Sequence, residues 1–320
     1  MNCTGEPPRA GRAWWLRLTQ KSPALGKKLI NSACGLSFVL WRPNGAGWTM
    51  QLHDLTHKLR DLTADELTAI FEVGYTVVAD VFALSALRPL EAACERLEIM
   101  AQELFASGQR GTVMHRGSQF VLGEIADGRR AGQVRIDRVV WAGAAAPELL
   151  EFSSHPQLLR WAAQVLGSSH MEQLINQVHF KLPGDGVTFS WHQDAQHRRY
   201  GTEHWQDLNG KGSFVEIATL LDDNTQDNGP LQFVRDSCRL GNLPLGPDGN
   251  LPSEYVLADK IESAVAPAGS VILFGPFAIH GSGVNRSQRK RRLLLNGFCL
   301  PGANFRQYPG QGSGRQVVAG

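Results

Sequence analysis

No two of the five cysteines (Cys3, Cys34, Cys94, Cys238, Cys299) form a C-x-x-C pair, and their number is odd. That spacing excludes a disulfide framework and a thiolate zinc site, and a reducing, cytoplasmic setting is expected. Long apolar runs are also missing. The most apolar early stretch, Leu29 to Trp41, is broken by Asn31, Ser32 and Ser37, and it falls short of the ~20 residues a spanning helix needs. No membrane partner is therefore expected. Net charge is scarce too, since 32 Lys+Arg face 30 Asp+Glu, so no global field recruits nucleic acid. The chain has no internal repeat and no H-E-x-x-H, Walker loop, Rossmann fingerprint or G-x-S-x-G elbow.

At 42% hydrophobic, 320 residues can build a sizeable core. The small net charge hides an asymmetry: residues 1–49 hold seven basic residues against Glu6 alone, and the remainder is slightly acidic. An organelle-targeting leader is one reading of so acid-poor a segment. A poorly ordered extension ahead of a functional start at Met50 is the other, and it is preferred because recognisable structure begins just beyond. The expected organisation is an extension over 1–49, one domain over 50–305 and a flexible tail over 306–320.

Thr63-Ala64-Asp65-Glu66 is a capping box that opens a helix through Glu72. Gly74 can supply its left-handed stop, and Tyr75-Thr76-Val77-Val78 has the β-branched content of a short strand. Leu87, Leu90, Cys94, Leu97, Ala101 and Leu104 recur at steps of three and four, the period of an amphipathic helix. Residues 107–146 are rich in Gly, Arg and Ala and read as a loop with one strand over Arg135–Trp141. Pro156 can start a further helix closed by Gly167. Six strand-like runs follow: Leu174–Leu182, Thr188–Trp191, Phe214–Leu221, Pro230–Val234, Ser270–Phe274 and Arg292–Cys299. Helices first and many strands afterwards predict a mainly β protein, a jelly roll braced by α-helices.

The central chemical signal is His192-Gln193-Asp194, followed 86 residues after Asp194 by His280-Gly281-Ser282-Gly283. Two imidazoles and one carboxylate are the protein ligands of a facial triad on non-haem Fe(II), which leaves positions open for substrate and O₂. Residues i and i+2 of a strand face the same way, so His192 and Asp194 can reach one metal, with His280 brought by a distant strand of the opposite sheet. Gln193 then points away. Gln177, His179 and Lys181 alternate with apolar neighbours and share one strand face. A polar edge in water and a lining for a cavity both fit that alternation. In the basic run after His280, Arg286, Arg289 and Lys290 read as a solvated turn, whereas a planar guanidinium at Arg291 can grip a carboxylate bidentately.

Several segments together resemble the phytanoyl-CoA dioxygenase family: Leu62-Thr63-Ala64-Asp65-Glu66, Gly74-Tyr75, Phe180-Lys181-Leu182-Pro183-Gly184, His192-Gln193-Asp194, Asp222-Asp223 with Asn228-Gly229-Pro230-Leu231, and His280-Gly281-Ser282-Gly283 running on to Arg291. The resemblance spans roughly residues 62–305. It implies a double-stranded β-helix enzyme that uses Fe(II), 2-oxoglutarate as cosubstrate and O₂ to hydroxylate a C–H bond of a small-molecule substrate. On that resemblance His192, Asp194 and His280 are the iron ligands, and Arg291 with Ser282 holds the distal carboxylate of 2-oxoglutarate. Lys181, Gln177 and His179 then face the cosubstrate and substrate cavity. Two departures bear on the substrate side: Asp236-Ser237-Cys238 stands where the family has Gly-Ser-His, and Ala218 stands where an aromatic is common. A cupin-like metal-dependent lyase or isomerase, or a non-catalytic metal-binding jelly roll, is the alternative.

Overall fold

The computed structural model describes residues 27–32, 35–44, 47–53, 59–306 and 314–320, the first three ranges by their backbone alone. The expectations for residues 1–26 and for Gly310 to Ser313 lie outside the described residues. The chain divides into two compact units at Leu59/Arg60.

The first unit contains β1 (Lys27–Ser32), β2 (Gly35–Asn44) and β3 (Gly47–His53), an antiparallel sheet in that order. Trp41 pairs with Met50, so a strand ladder runs through the position expected to open the domain, and the division between units falls later.

In the second unit, helix α1 (Ala64–Glu72) begins at the expected capping box: Thr63 Oγ1 accepts from the Glu66 amide at 3.1 Å, and Glu66 Oε2 accepts from the Thr63 amide at 2.8 Å. Each side chain satisfies an amide that the first helical turn leaves without a partner. Gly74, at φ +111°, turns the chain into β4 (Tyr75–Val78). Helix α2 (Leu84–Ala106) buries Leu87, Leu90, Cys94, Leu97, Ala101 and Leu104, the stripe that the period of three and four marks out.

The segment expected as a loop with one strand is instead three strands, β5 (Gly111–His115), β6 (Ser118–Glu124) and β7 (Val134–Val140). Arg116 and Gly117 have φ of +50° and +79°, the two positive values of a tight hairpin turn. Arg is an unusual residue for the first of those positions, which hides the turn in the sequence. Short helices α3 (Ala142–Ala145) and α4 (Pro147–Phe152) follow, then α5 (Pro156–Leu166), opened by proline and closed by Gly167 at φ +71°.

The rest is β8 (His170–Lys181), β9 (Phe189–His192), helical turn α6 (Asp194–His197), β10 (Phe214–Leu220), β11 (Gln232–Val234), β12 (Ile261–Ser263), β13 (Val271–Phe274), β14 (His280–Ser282), β15 (Arg291–Cys299) and β16 (Arg315–Val318). The last of these lies within the expected tail. Residues 315–318 pair with β8, and the Arg315 guanidinium reaches Gln173, Ser153 and Ser154.

A large sheet has the order β4-β13-β10-β15-β8-β7-β6-β5, with β16 also on β8, and a small sheet has the order β12-β11-β14-β9. This is the expected two-sheet jelly roll. One face of the large sheet, through Val139, Val178, Phe180, Val215, Ile217 and Leu294, joins the core under α2 and α5. Its other face meets the small sheet, where Ala218, Leu220, Ile272, Phe274, Leu293 and Leu295 pack with Leu231 and Phe233. Among the described residues no helix is long and apolar enough to cross a membrane.

One ion pair at the start of β15 fixes its register. Arg292 donates through Nε and Nη2 to the two oxygens of Asp222, each at 2.8 Å, and its backbone amide donates to the same carboxylate. Removing one partner strands a desolvated charge, so Asp222→Ala is expected to cost about 3–5 kcal/mol in denaturant unfolding. Asp222→Leu combined with Arg292→Met should recover part of that loss, and equal stability of wild type and Asp222→Ala would contradict the assignment.

Candidate metal centre

Two strands of the small sheet and one helical turn assemble the three candidate ligands. His192 closes β9 and His280 opens β14, and these two residues are direct cross-strand partners. His280 therefore comes from the neighbouring strand of the same sheet, not from the opposite one. Asp194 is also not strand-borne as expected: the strand stops at His192, Gln193 caps the turn, and Asp194 is its first helical residue. The convergence survives because an extended Gln193 still lets its two neighbours face one point. His192 Nε2 lies 3.6 Å from Asp194 Oδ1, and His280 Nε2 lies 3.9 Å from Asp194 Oδ2. One ligand atom from each residue falls within 4.8 Å of the others.

The tautomers follow from hydrogen bonds. His192 Nδ1 sits 2.6 Å from the Ser190 carbonyl, and His280 Nδ1 sits 3.0 Å from that of Ala278. A carbonyl only accepts, so each Nδ1 carries the proton and each Nε2 presents its lone pair inward. Burial and then the neighbouring His192 push the His280 imidazole down to about 4, which keeps it neutral. Asp194 stays a carboxylate: burial acts upward on its pKa, and the charges of His280 and His192, whenever those rings are protonated, act downward more strongly and keep it below the usual range. A carboxylate and two imidazole nitrogens are a donor set suited to Fe(II).

Gln193 points away from this group, as expected. Its amide donates to the carbonyls of Gly241 and Phe277 at 2.9 and 2.7 Å and accepts from Leu243 at 2.8 Å. Ser237 and Asp236 carry weight that the sequence did not signal. Ser237 Oγ accepts from the Ile279 amide at 2.9 Å, one residue before His280. Asp236 takes φ +64°, the left-handed conformation that a glycine would hold freely. At the departure from Gly-Ser-His the middle serine is retained, and the residue before it takes a conformation open to glycine.

On the facing large sheet, Arg291 and Lys181 are cross-strand neighbours at the ends of β15 and β8. Arg291 is 1% exposed, and its Nε and Nη2 reach the Gly229 carbonyl, the former at 3.1 Å. Nη1 is buried without a partner, and Ser282 Oγ and His179 Nε2 are in the same condition. Among the described residues no carboxylate forms an ion pair with Arg291. Burial lowers its pKa to about 10, so it stays charged at neutral pH. A buried guanidinium fork and a buried hydroxyl without acceptors are what a dicarboxylate would satisfy. The Gly229 approach is close: a Cβ there would lie 2.5 Å from the Gly283 carbonyl oxygen.

Lys181 proves to be a clamp. Its ammonium donates to the carbonyls of Val187 at 3.1 Å, Ser282 at 3.3 Å and Gly283, so its three protons are engaged in holding the segment that carries Ser282. Burial, and then the Arg291 charge, push its pKa down to about 7. Gln177 and His179 lie on β8 between β15 and β7, which rules out a polar edge in water. The His179 ring stacks on Phe189 at 4.6 Å, and burial followed by the charges of Arg138 and Arg291 holds it neutral. Gln177 is buried on the same face. In the basic run Arg286 and Arg289 are exposed as expected, whereas Lys290 pairs with Glu98 at 2.8 Å.

The family model described as phytanoyl-CoA dioxygenase matches residues 71–293, well over half of the chain. The L-proline trans-4-hydroxylase of Streptomyces griseoviridis is 31% identical over 166 residues, which are 44% of this chain and 58% of that protein. The chain thus spans little more than half the length of that relative. The ectoine dioxygenase of Stutzerimonas stutzeri is 27% identical over 252 residues, 72% of this chain and 75% of that protein. Among solved structures, AviO1 from Streptomyces viridochromogenes Tue57 superposes with a TM-score of 0.58 at 20% identity, covering 79% of this chain and all of that one. EctD from S. alaskensis with bound Fe gives 0.56 at 20% identity, covering 78% and 81%. At these identities the structural likeness establishes a common fold, the double-stranded β-helix.

Proposed function

The chain belongs to the phytanoyl-CoA dioxygenase family, and from that premise we propose that it is an Fe(II)- and 2-oxoglutarate-dependent oxygenase that hydroxylates a C–H bond of a small molecule. The observation that carries the reading is a set of unpartnered buried donors, Arg291 Nη1 and Ser282 Oγ, in the same fold as a His192/Asp194/His280 cluster. A lyase on the same jelly roll has no use for that cationic fork.

The overall reaction is R–H + 2-oxoglutarate + O₂ → R–OH + succinate + CO₂. The chemistry that iron supplies when bound here is O₂ activation coupled to oxidative decarboxylation of 2-oxoglutarate. His192 and His280 offer neutral nitrogens fixed by the Ser190 and Ala278 carbonyls, and Asp194 offers the anionic oxygen. Arg291 and Ser282 orient the far carboxylate of the cosubstrate, and Lys181 holds Ser282 in place. Phe233 and Phe274, at 5.8 and 4.8 Å from the His280 ring, keep water from that side of the centre.

The test is turnover with ¹⁸O₂: one labelled oxygen should appear in the organic product for each succinate released, and product without succinate would overturn the reading. Asp194 also occupies the ligand position that a halide would need. Wild-type protein in chloride buffer is therefore expected to add oxygen and not chlorine, and a chlorinated product by mass spectrometry would contradict the role given to Asp194.

A further inference from the structure

Among the described residues Arg138 is a cation without a counter-ion on the sheet face that looks toward the candidate metal centre. It lies on β7 directly opposite His179, and residues paired across two strands point to the same face. The His179 ring stacks on Phe189 of the small sheet, so that face looks between the sheets. Its neighbour Val139 packs the other way, into the core under the helices, as the alternation of a strand requires. Arg138 is only half-buried, and among the described residues it makes no hydrogen bond or ion pair. Phe189, on which the facing His179 ring stacks, lies on the strand that ends at His192, so Arg138 sits on the sheet face turned toward the strand that carries a candidate ligand.

The other buried charges in this region are balanced. Arg198 pairs with Glu216 at 2.7 Å and Arg292 with Asp222 at 2.8 Å, while Asp185 lies close enough to act on Lys181. On the oxygenase reading, the charges of Fe(II) and Arg291 are matched by Asp194 and the two carboxylates of 2-oxoglutarate. Arg138 is the cation left over.

We propose that Arg138 receives a carboxylate of the organic substrate, so that the site takes small carboxylic acids, amino acids among them, in preference to neutral molecules. This rests on the oxygenase reading. The half-exposed position suits an incoming group: a guanidinium already partly desolvated and without an acceptor among the described residues can form two charge-assisted bonds without first breaking others. The neighbouring Gln177, two residues along β8, adds a neutral amide on the same face.

The probes are L-proline, L-pipecolate and cyclohexanecarboxylate, each against its primary amide. Binding to wild-type protein loaded with Mn(II) and 2-oxoglutarate is measured by calorimetry, without turnover. At least one acid is expected to bind about 10- to 100-fold more tightly than its amide, the worth of a charged hydrogen-bonded pair. Arg138→Met should erase that preference, and Arg138→Lys should restore part of it, while 2-oxoglutarate binds all three proteins with similar affinity. Equal binding of acids and amides, binding of none of the probes, or loss of 2-oxoglutarate affinity in Arg138→Met overturns the assignment of Arg138. Failure of wild type to bind 2-oxoglutarate at all would remove the oxygenase reading and this inference with it.

Discussion

His280→Ala is expected to abolish turnover and to remove iron from the purified, anaerobically reconstituted protein. Among the described residues His280 is one of the three that form the candidate ligand group, it is 4% exposed, and its Nδ1 is tied to the Ala278 carbonyl, which fixes Nε2 toward the site. Loss of an outer partner of a metal ligand typically costs roughly 10–100-fold in affinity or activity, and loss of the ligand itself should cost more. Asp194→Asn should be nearly as damaging, because it keeps the shape and removes the charge that favours a dication. His197 supplies the control. Its ring is 4.9 Å from that of His192 but lies outside the ligand group, so His197→Ala should retain iron. Full iron content in His280→Ala, measured by metal analysis after desalting, would refute the ligand assignment.

Arg291→Ala is expected to raise the 2-oxoglutarate requirement steeply while leaving iron affinity nearly unchanged. Truncating one partner of a desolvated, hydrogen-bonded charge pair costs about 2–5 kcal/mol, or roughly a 30-fold to several-thousand-fold loss of binding. The side chain is buried and its only hydrogen-bond acceptor among the described residues is the Gly229 carbonyl, so the variant gives up that bond and the packing of its stem, and a fold check is needed beside the binding measurement. Arg291→Lys keeps the charge without the planar fork and should fall between alanine and wild type. Arg286→Ala, at an exposed position five residues earlier, should bind both ligands as wild type does. Calorimetric titration of 2-oxoglutarate into the Mn(II)-loaded proteins separates the cases, with thermal unfolding run alongside to confirm that each variant is folded. Equal 2-oxoglutarate affinity in Arg291→Ala and Arg286→Ala would reduce the basic run to a charged turn.

The candidate ligand residues were legible in the sequence because of their types and two short spacings: His192 lies two residues from Asp194, and Arg291 lies eleven residues after the distant His280. Their placement on the fold was less legible. Periodicity assigns His192 and Asp194 to one strand, yet nothing in the alternation shows that β9 stops at His192 and that a capped turn carries Asp194. The pairing of His280 with His192 in one sheet is a matter of topology, set by which strands meet after long connections. The clamp that Lys181 forms was not legible for a related reason, since its three carbonyl acceptors come from residues six, 101 and 102 positions away. The hairpin of β5 and β6 escaped because its turn is built on Arg116-Gly117, and a left-handed arginine carries no turn signal of its own. Helices α1, α2 and α5 were plain because caps and a one-sided apolar stripe are written in adjacent residues.

The most direct measurement is anaerobic addition of Fe(II) and then 2-oxoglutarate to the metal-free protein, followed in the visible spectrum. A weak charge-transfer band is expected that needs both additions, is absent from His280→Ala, and requires far more 2-oxoglutarate in Arg291→Ala. No band in the wild type, or a band that ignores both substitutions, would contradict an iron and 2-oxoglutarate site built from these residues.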